Sequence, residues 1–240
     1  MAVKRKKVST KVDVSVESVV ASLKRLGSQK VRDGLARFGL PSENAFGISM
    51  GEIQKLAKQI GKNHALAIQL WESEHYEARL LAAYVAEADK LTPGQMDRWI
   101  KDFDSWGLCD TVCFVLFDRT PHAFRKVTQW AKKKAEFEKR AAFALLASLA
   151  LHDKKTGDEP FAKCLPLIEE TATDERNFVK KGVSWALRTV GRRSLGLNKS
   201  SAALAKRLVK SDNPAARWIG RDALKELTSP RVVRWLKDGG

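Results

Sequence analysis

The 240-residue chain holds three cysteines, four histidines and two tyrosines, and each scarcity closes a route. Cys109, Cys113 and Cys164 are odd in number and show no zinc-type pairing. They read as reduced packing thiols, not as a disulfide framework. His64, His75, His122 and His152 are scattered, so nothing completes a metal site around Cys109 and Cys113. No Walker loop, dinucleotide fingerprint or locally supported Ser-His-Asp arrangement occurs, which speaks against nucleotide-driven chemistry. No apolar run approaches the roughly 20 residues of a membrane span, and no signal-peptide core follows the first basic residues. A soluble cytoplasmic protein without a membrane partner is the expectation. Alternating Val-, Ile- and Thr-rich runs are nearly absent, so there is little case for a sheet.

Acid is also short. Against 44 Lys and Arg stand 28 Asp and Glu, a net charge of +16. Such an excess favours a polyanion as partner. Residues 1–13 include Lys4, Arg5, Lys6, Lys7 and Lys11 with little to bury, and read as a basic, mobile arm.

From residue 14 to residue 240 one helical domain is expected. Apolar residues recur at helical spacing over 15–26, 30–38, 49–60, 64–71 and 75–88. Thr92-Pro93 and Asn213-Pro214 open further helices, with the polar residue as N-cap and proline in the first turn. A weak repeat runs through residues 139–145, 180–187 and 216–224, where basic residues precede small apolar ones and an Ala-Leu pair follows. Those pairs begin at 144, 186 and 223, and Glu77–Ala83 resembles an earlier copy. Steps of this size fit two-helix repeats of the HEAT or armadillo kind. The expected fold is therefore an all-α superhelical solenoid with a concave basic groove. Arg140, Lys181, Arg188, Arg217 and Arg221 are the candidate phosphate contacts.

Two segments interrupt ordinary amphipathic patterning. Over 177–193, Val179, Val183, Ala186, Leu187 and Val190 share one face, while Lys181, Trp185, Arg188 and Arg192 share the other. A large aromatic thus lies inside a basic stripe, a combination suited to a polyanion that also offers a sugar or base. Over 104–119, Leu108, Val112, Val115 and Leu116 form one side of a helix. Trp106, Asp110, Cys113 and Phe117 form the other. Asp104 or Ser105 is placed to cap the helix, and Asp110 is not. A carboxylate among aromatics needs something to bind. One possibility is an arginine of the next repeat. Another is catalysis: a carboxylate flanked by Trp in a basic groove could stabilise the oxocarbenium-like sugar formed when a nucleotide's glycosidic bond breaks.

These residues resemble the AlkD-like DNA alkylation repair enzymes, DNA glycosylases built from HEAT-like repeats, over roughly residues 30–227. Trp106 and Asp110 match the family's Trp-x-x-x-Asp, Trp185 matches its second groove Trp, and Arg140 and Arg188 match arginines that contact the DNA backbone. Ser105 stands where the best-known members carry an extra aromatic, and Phe38 is a loose match to an aromatic near the groove. The resemblance implies hydrolysis of the N-glycosidic bond of 3-methyladenine and 7-methylguanine in duplex DNA. It implies Asp110, Trp106 and Trp185 as the catalytic set and requires no metal or organic cofactor. Lys181, Arg192, Arg217 and Arg221 join Arg140 and Arg188 as expected DNA contacts, and the protein is expected to act as a monomer, nucleoid-associated when bound to DNA. A noncatalytic protein that binds DNA or its junctions would share the groove but give Asp110 only a structural role. A protein-interaction scaffold is the third reading, disfavoured by the charge.

Overall fold

The structure, a computed structural model, describes residues 15–40 and 43–239. The expected arm over 1–13 lies outside the described residues. Fifteen α-helices follow one another, with no strand among the described residues. They are α1 (Val16–Leu26), α2 (Gln29–Arg37), α3 (Met50–Ile60), α4 (His64–Glu72), α5 (Tyr76–Val85) and α6 (Pro93–Trp99). Next come α7 (Trp106–Val115), α8 (Ala123–Trp130), α9 (Glu136–His152), α10 (Glu159–Ala162) and α11 (Leu165–Thr171). The last are α12 (Asn177–Val190), α13 (Leu195–Val209), α14 (Pro214–Leu227) and α15 (Pro230–Lys237).

Local chemistry sets the helix starts. Thr92 accepts from the Gln95 backbone N–H and Gln95 answers at the Thr92 N–H, a capping box with Pro93 in the first turn. Asn213 caps α14 ahead of Pro214 in the same way, through the Ala216 N–H. Ser105, not Asp104, caps α7.

The second helices of successive pairs stack into an inner row, in which α5 packs on α7, α7 on α9, α9 on α12 and α12 on α14. Outer helices α4, α8, α11 and α13 cover α5, α9, α12 and α14. This is the expected solenoid, and the three Ala-Leu repeats fall on the adjacent helices α9, α12 and α14. Central α9 is buried continuously from Arg140 to Ala150. It has almost no amphipathic character because neighbours cover it on several sides. One apolar cluster runs from Val19 to Leu227. None of the described helices is long and apolar enough to cross a membrane.

The expected helix over 104–119 is shorter. It ends at Val115, where Leu116 leaves helical geometry at φ −135° and ψ −58°. Phe117 therefore points into the core from a short 3-10 turn and not along the Trp106–Asp110 face.

Candidate nucleic-acid interface

The inner row carries a cleft of about 380 Å³ lined by Trp106 and Asp110 of α7, Arg140 of α9, and Phe178, Lys181, Trp185 and Arg188 of α12, with Trp218 of α14. The sequence-based catalytic set is thus brought together in one place by the stacking of three neighbouring helices.

Each aromatic is held differently. Trp106 donates its indole N–H to the Phe38 carbonyl at 2.8 Å, which ties the end of α2 to the cleft. Gly107 permits this position, since a Cβ there would stand 2.6 Å from the Tyr76 hydroxyl and 2.7 Å from a Leu40 methyl. Phe38 itself is 69% exposed. Trp185, expected on a solvent-facing stripe, is half-buried: it packs partly on the core and presents the rest to the cleft. Trp218 is 40% exposed, with the Lys180 ammonium 5.1 Å from its ring centroid.

Asp110 is gripped from below. Arg140 donates Nε to Oδ1 at 2.8 Å and Nη2 to Oδ2 at 2.7 Å. The third guanidinium nitrogen, Nη1, donates to the Phe178 carbonyl at 2.6 Å. The Asp110 side chain keeps 20% of its surface exposed, Arg140 only 7%. Burial pushes the Asp110 carboxyl above its ordinary value, against the pull of the Arg140 guanidinium. Each carboxylate oxygen spends one lone pair on Arg140 and retains acceptor capacity. The fork holds the carboxylate in a single orientation.

Arg140 is therefore not the free phosphate ligand expected from its place in the repeat. Its three donor nitrogens are engaged inside the protein, and its role becomes that of anchor to Asp110. The other expected DNA contacts divide. Lys181 is exposed on the cleft wall. Arg188 lines the cleft but is shared with Asp222 at 3.3 Å and Glu226 at 2.8 Å. Arg192 follows the end of α12 at Val190, is not part of the cleft lining, and lies beside Trp235. Arg217 curls back, its Nη1 donating to the Ser211 and Asp212 carbonyls at 2.9 and 2.7 Å. Arg221 is exposed and outside the cleft lining.

Phe178, Lys180 and Trp218 were not among the expected site residues. For Trp218 a signal existed: with Ala186-Leu187 aligned on Ala223-Leu224, Trp218 takes the place of Lys181. For Phe178 there was none, since its position at the start of α12 depends on Glu136, whose Oε1 accepts from the Phe178 N–H at 3.1 Å.

Comparison with known proteins adds two findings. The model of a family described as DNA alkylation repair enzyme matches residues 19–227. Among solved structures, one described as "a new family of proteins related to the HEAT-like repeat DNA glycosylases with affinity for branched DNA structures" superposes with a TM-score of 0.73. It is 21% identical, and the match covers 89% of this chain and 96% of that one. Comparison with curated proteins gave no match.

Proposed function

Since the chain belongs to the DNA alkylation repair enzyme family, we propose that its aromatic cleft removes cationic alkylated purines, 3-methyladenine and 7-methylguanine, from duplex DNA. The observation that carries this reading is the Asp110 carboxylate, fixed by Arg140 and open to a cleft walled by Trp106 and Trp185. In the proposed reaction the glycosidic bond breaks and its electron pair leaves with the base, which is neutral after departure. The deoxyribose becomes oxocarbenium-like. Asp110 stabilises that positive centre through space and accepts a hydrogen bond from the water whose oxygen bonds to C1′ and whose surplus proton is lost to solvent. The indoles of Trp106 and Trp185 hold the sugar by dispersion and by attraction of the developing cation to their faces. A base already cationic needs no proton from the enzyme, which suits a lining with one carboxylate and no histidine among the described residues. Lys181 and Arg188 would take flanking phosphates.

The test is release of free base from methylated duplex DNA by the intact protein and by Asp110→Asn. Release should fall by about 10²- to 10³-fold in the variant, the size of losing one preorganised electrostatic group, while DNA affinity stays the same or rises slightly as a negative charge is lost. A second reading is favoured by the completeness of the Asp110–Arg140 pair, which is also what a purely structural ion pair looks like. On that reading the cleft binds DNA without cutting a bond, and its ligand is branched DNA, as the description of the superposed protein has it for that protein. Tight binding of a DNA junction with no base release by either form would move the assignment there.

A further inference from the structure

The C-terminal ends of the inner helices carry a second basic surface, which the cleft does not use. Trp235 on α15 is 43% exposed, a large aromatic on a helix face that is otherwise polar where it meets water. It stands between hollows of about 310 and 180 Å³ that share Trp235 and Arg192. Lys154 lines the larger and Arg231 the smaller. Lys154 also borders a third hollow, lined by Arg119, His152 and Lys155 together with Asp118 and Asp153, so the three join into one track in which cations outnumber acids. Lys154, Lys155 and Arg231 are exposed. The Arg192 guanidinium carbon lies 5.9 Å from the Trp235 ring centroid; its Nη1 donates to Glu226 at 3.3 Å, and its buried Nε has no hydrogen-bond partner among the described residues. The carbonyls ending α9 would repel an anion here. They are occupied instead by Arg193, whose Nη1 donates to the Ala150 and Asp153 carbonyls at 3.0 and 2.6 Å.

We propose that this track is a second nucleic-acid site, for a single-stranded DNA segment. Its phosphates would run along Lys154, Arg192 and Arg231, and one unpaired base would lie on the exposed face of Trp235. A duplex hides its base faces in the stack, whereas a single strand offers one to an aromatic. Along α9, His152, two residues before Lys154, lies about 18 Å from Arg140 at 1.5 Å per residue, so the nucleotides held here differ from the one in the cleft.

The experiment is binding of a short labelled oligothymidylate and of a blunt duplex, followed by fluorescence anisotropy across a salt series. The forms compared are the wild type, Trp235→Ala and Arg231→Ala. Trp235→Ala should weaken oligothymidylate binding roughly tenfold, the loss of one stacked base. Arg231→Ala should lower the salt slope for that ligand by about 0.7. Blunt-duplex affinity should stay within about twofold for both, since their side chains lie outside the cleft. Unchanged oligothymidylate binding in both variants overturns the site, and so does an equal loss on the blunt duplex. Arg231 is exposed, so its variant decides the matter even where Trp235→Ala fails to fold. Base excision is not needed for this site, and a failure to release methylated bases would leave these expectations standing.

Discussion

Asp110 and Arg140 show how a single contact changes the meaning of two residues. Each oxygen of the carboxylate faces one guanidinium nitrogen, and all three nitrogens of the largely buried arginine already donate within the protein. Removing one member of such a pair leaves the other charged and largely buried. Arg140→Ala should therefore lower unfolding stability by about 3 kcal/mol, read as a shift of the urea midpoint at neutral pH. A loss below about 1 kcal/mol would mean that water already satisfies Asp110 and that Arg140 does not anchor it. The seven tryptophans divide in a related way. Trp71, Trp99 and Trp130 are core, with the first two stacked at 3.9 Å. Trp106, Trp185 and Trp218 reach the cleft, and Trp235 stands apart. Residue type alone could not sort them, because a Trp on the less apolar face of its helix is covered or bare according to what stacks above it.

Helix junctions carry the next layer of control. The start of α12, which sets the height of Lys181 and Trp185 in the cleft, is held by Asp174. That carboxylate accepts from Nε and Nη2 of Arg176 at 2.9 and 2.6 Å and faces the Lys139 ammonium of α9 at 3.3 Å. The Arg176 hydrogen bonds draw the Asp174 carboxyl down to about 2 from its ordinary 3.8. A depressed folded-state value means the stabilisation is present above the unfolded value and is lost as pH falls from about 4 toward 2. At neutral pH, Asp174→Asn should cost on the order of 1–2 kcal/mol, allowing for the half-exposed Arg176. The deficit against wild type should shrink when unfolding is repeated near pH 3. A deficit that does not change with pH would show that the charge on Asp174 does not hold the junction. Helix starts of this kind were partly legible. Thr92 and Asn213 could be placed, and the cap of α7 narrowed to Asp104 or Ser105, because a cap acts within three residues of itself. Glu136 could not, because the helix start it holds lies 42 positions away, and the local Asp174–Arg176 pair gave no sign of its tie to Lys139 of α9, 35 positions away.

Across the chain, the net charge of +16 predicts DNA binding that weakens steeply with salt. Several of the cations are committed internally, as in Arg140 and Arg193, or paired with acids, as in Arg188 and Arg192. Lys181 is the exposed cation on the cleft wall. Lys181→Ala should lower the slope of log affinity against log salt by about 1 on a duplex, with a loss of affinity that is similar for every sequence. A variant with the wild-type slope would remove Lys181 from the phosphate contacts.

Periodicity, capping signals and the recurring Ala-Leu pairs were enough to establish stacked helices and their approximate starts, whereas the grouping of Trp106, Asp110 and Trp185 came from the resemblance to the DNA alkylation repair enzymes. Each of those signals is local, or repeats at a fixed interval that stacking turns into adjacency. Other features followed from contacts between helices far apart in the chain: the pairing of Arg140 with Asp110, the departure of Arg192 toward Trp235, and the arrival of Phe178 and Trp218 at the cleft. A helical pattern shows which side chains share a face. Which neighbour meets that face, and how far along its axis, depends on packing across 30 to 40 residues, as in the 30-residue reach from Asp110 to Arg140.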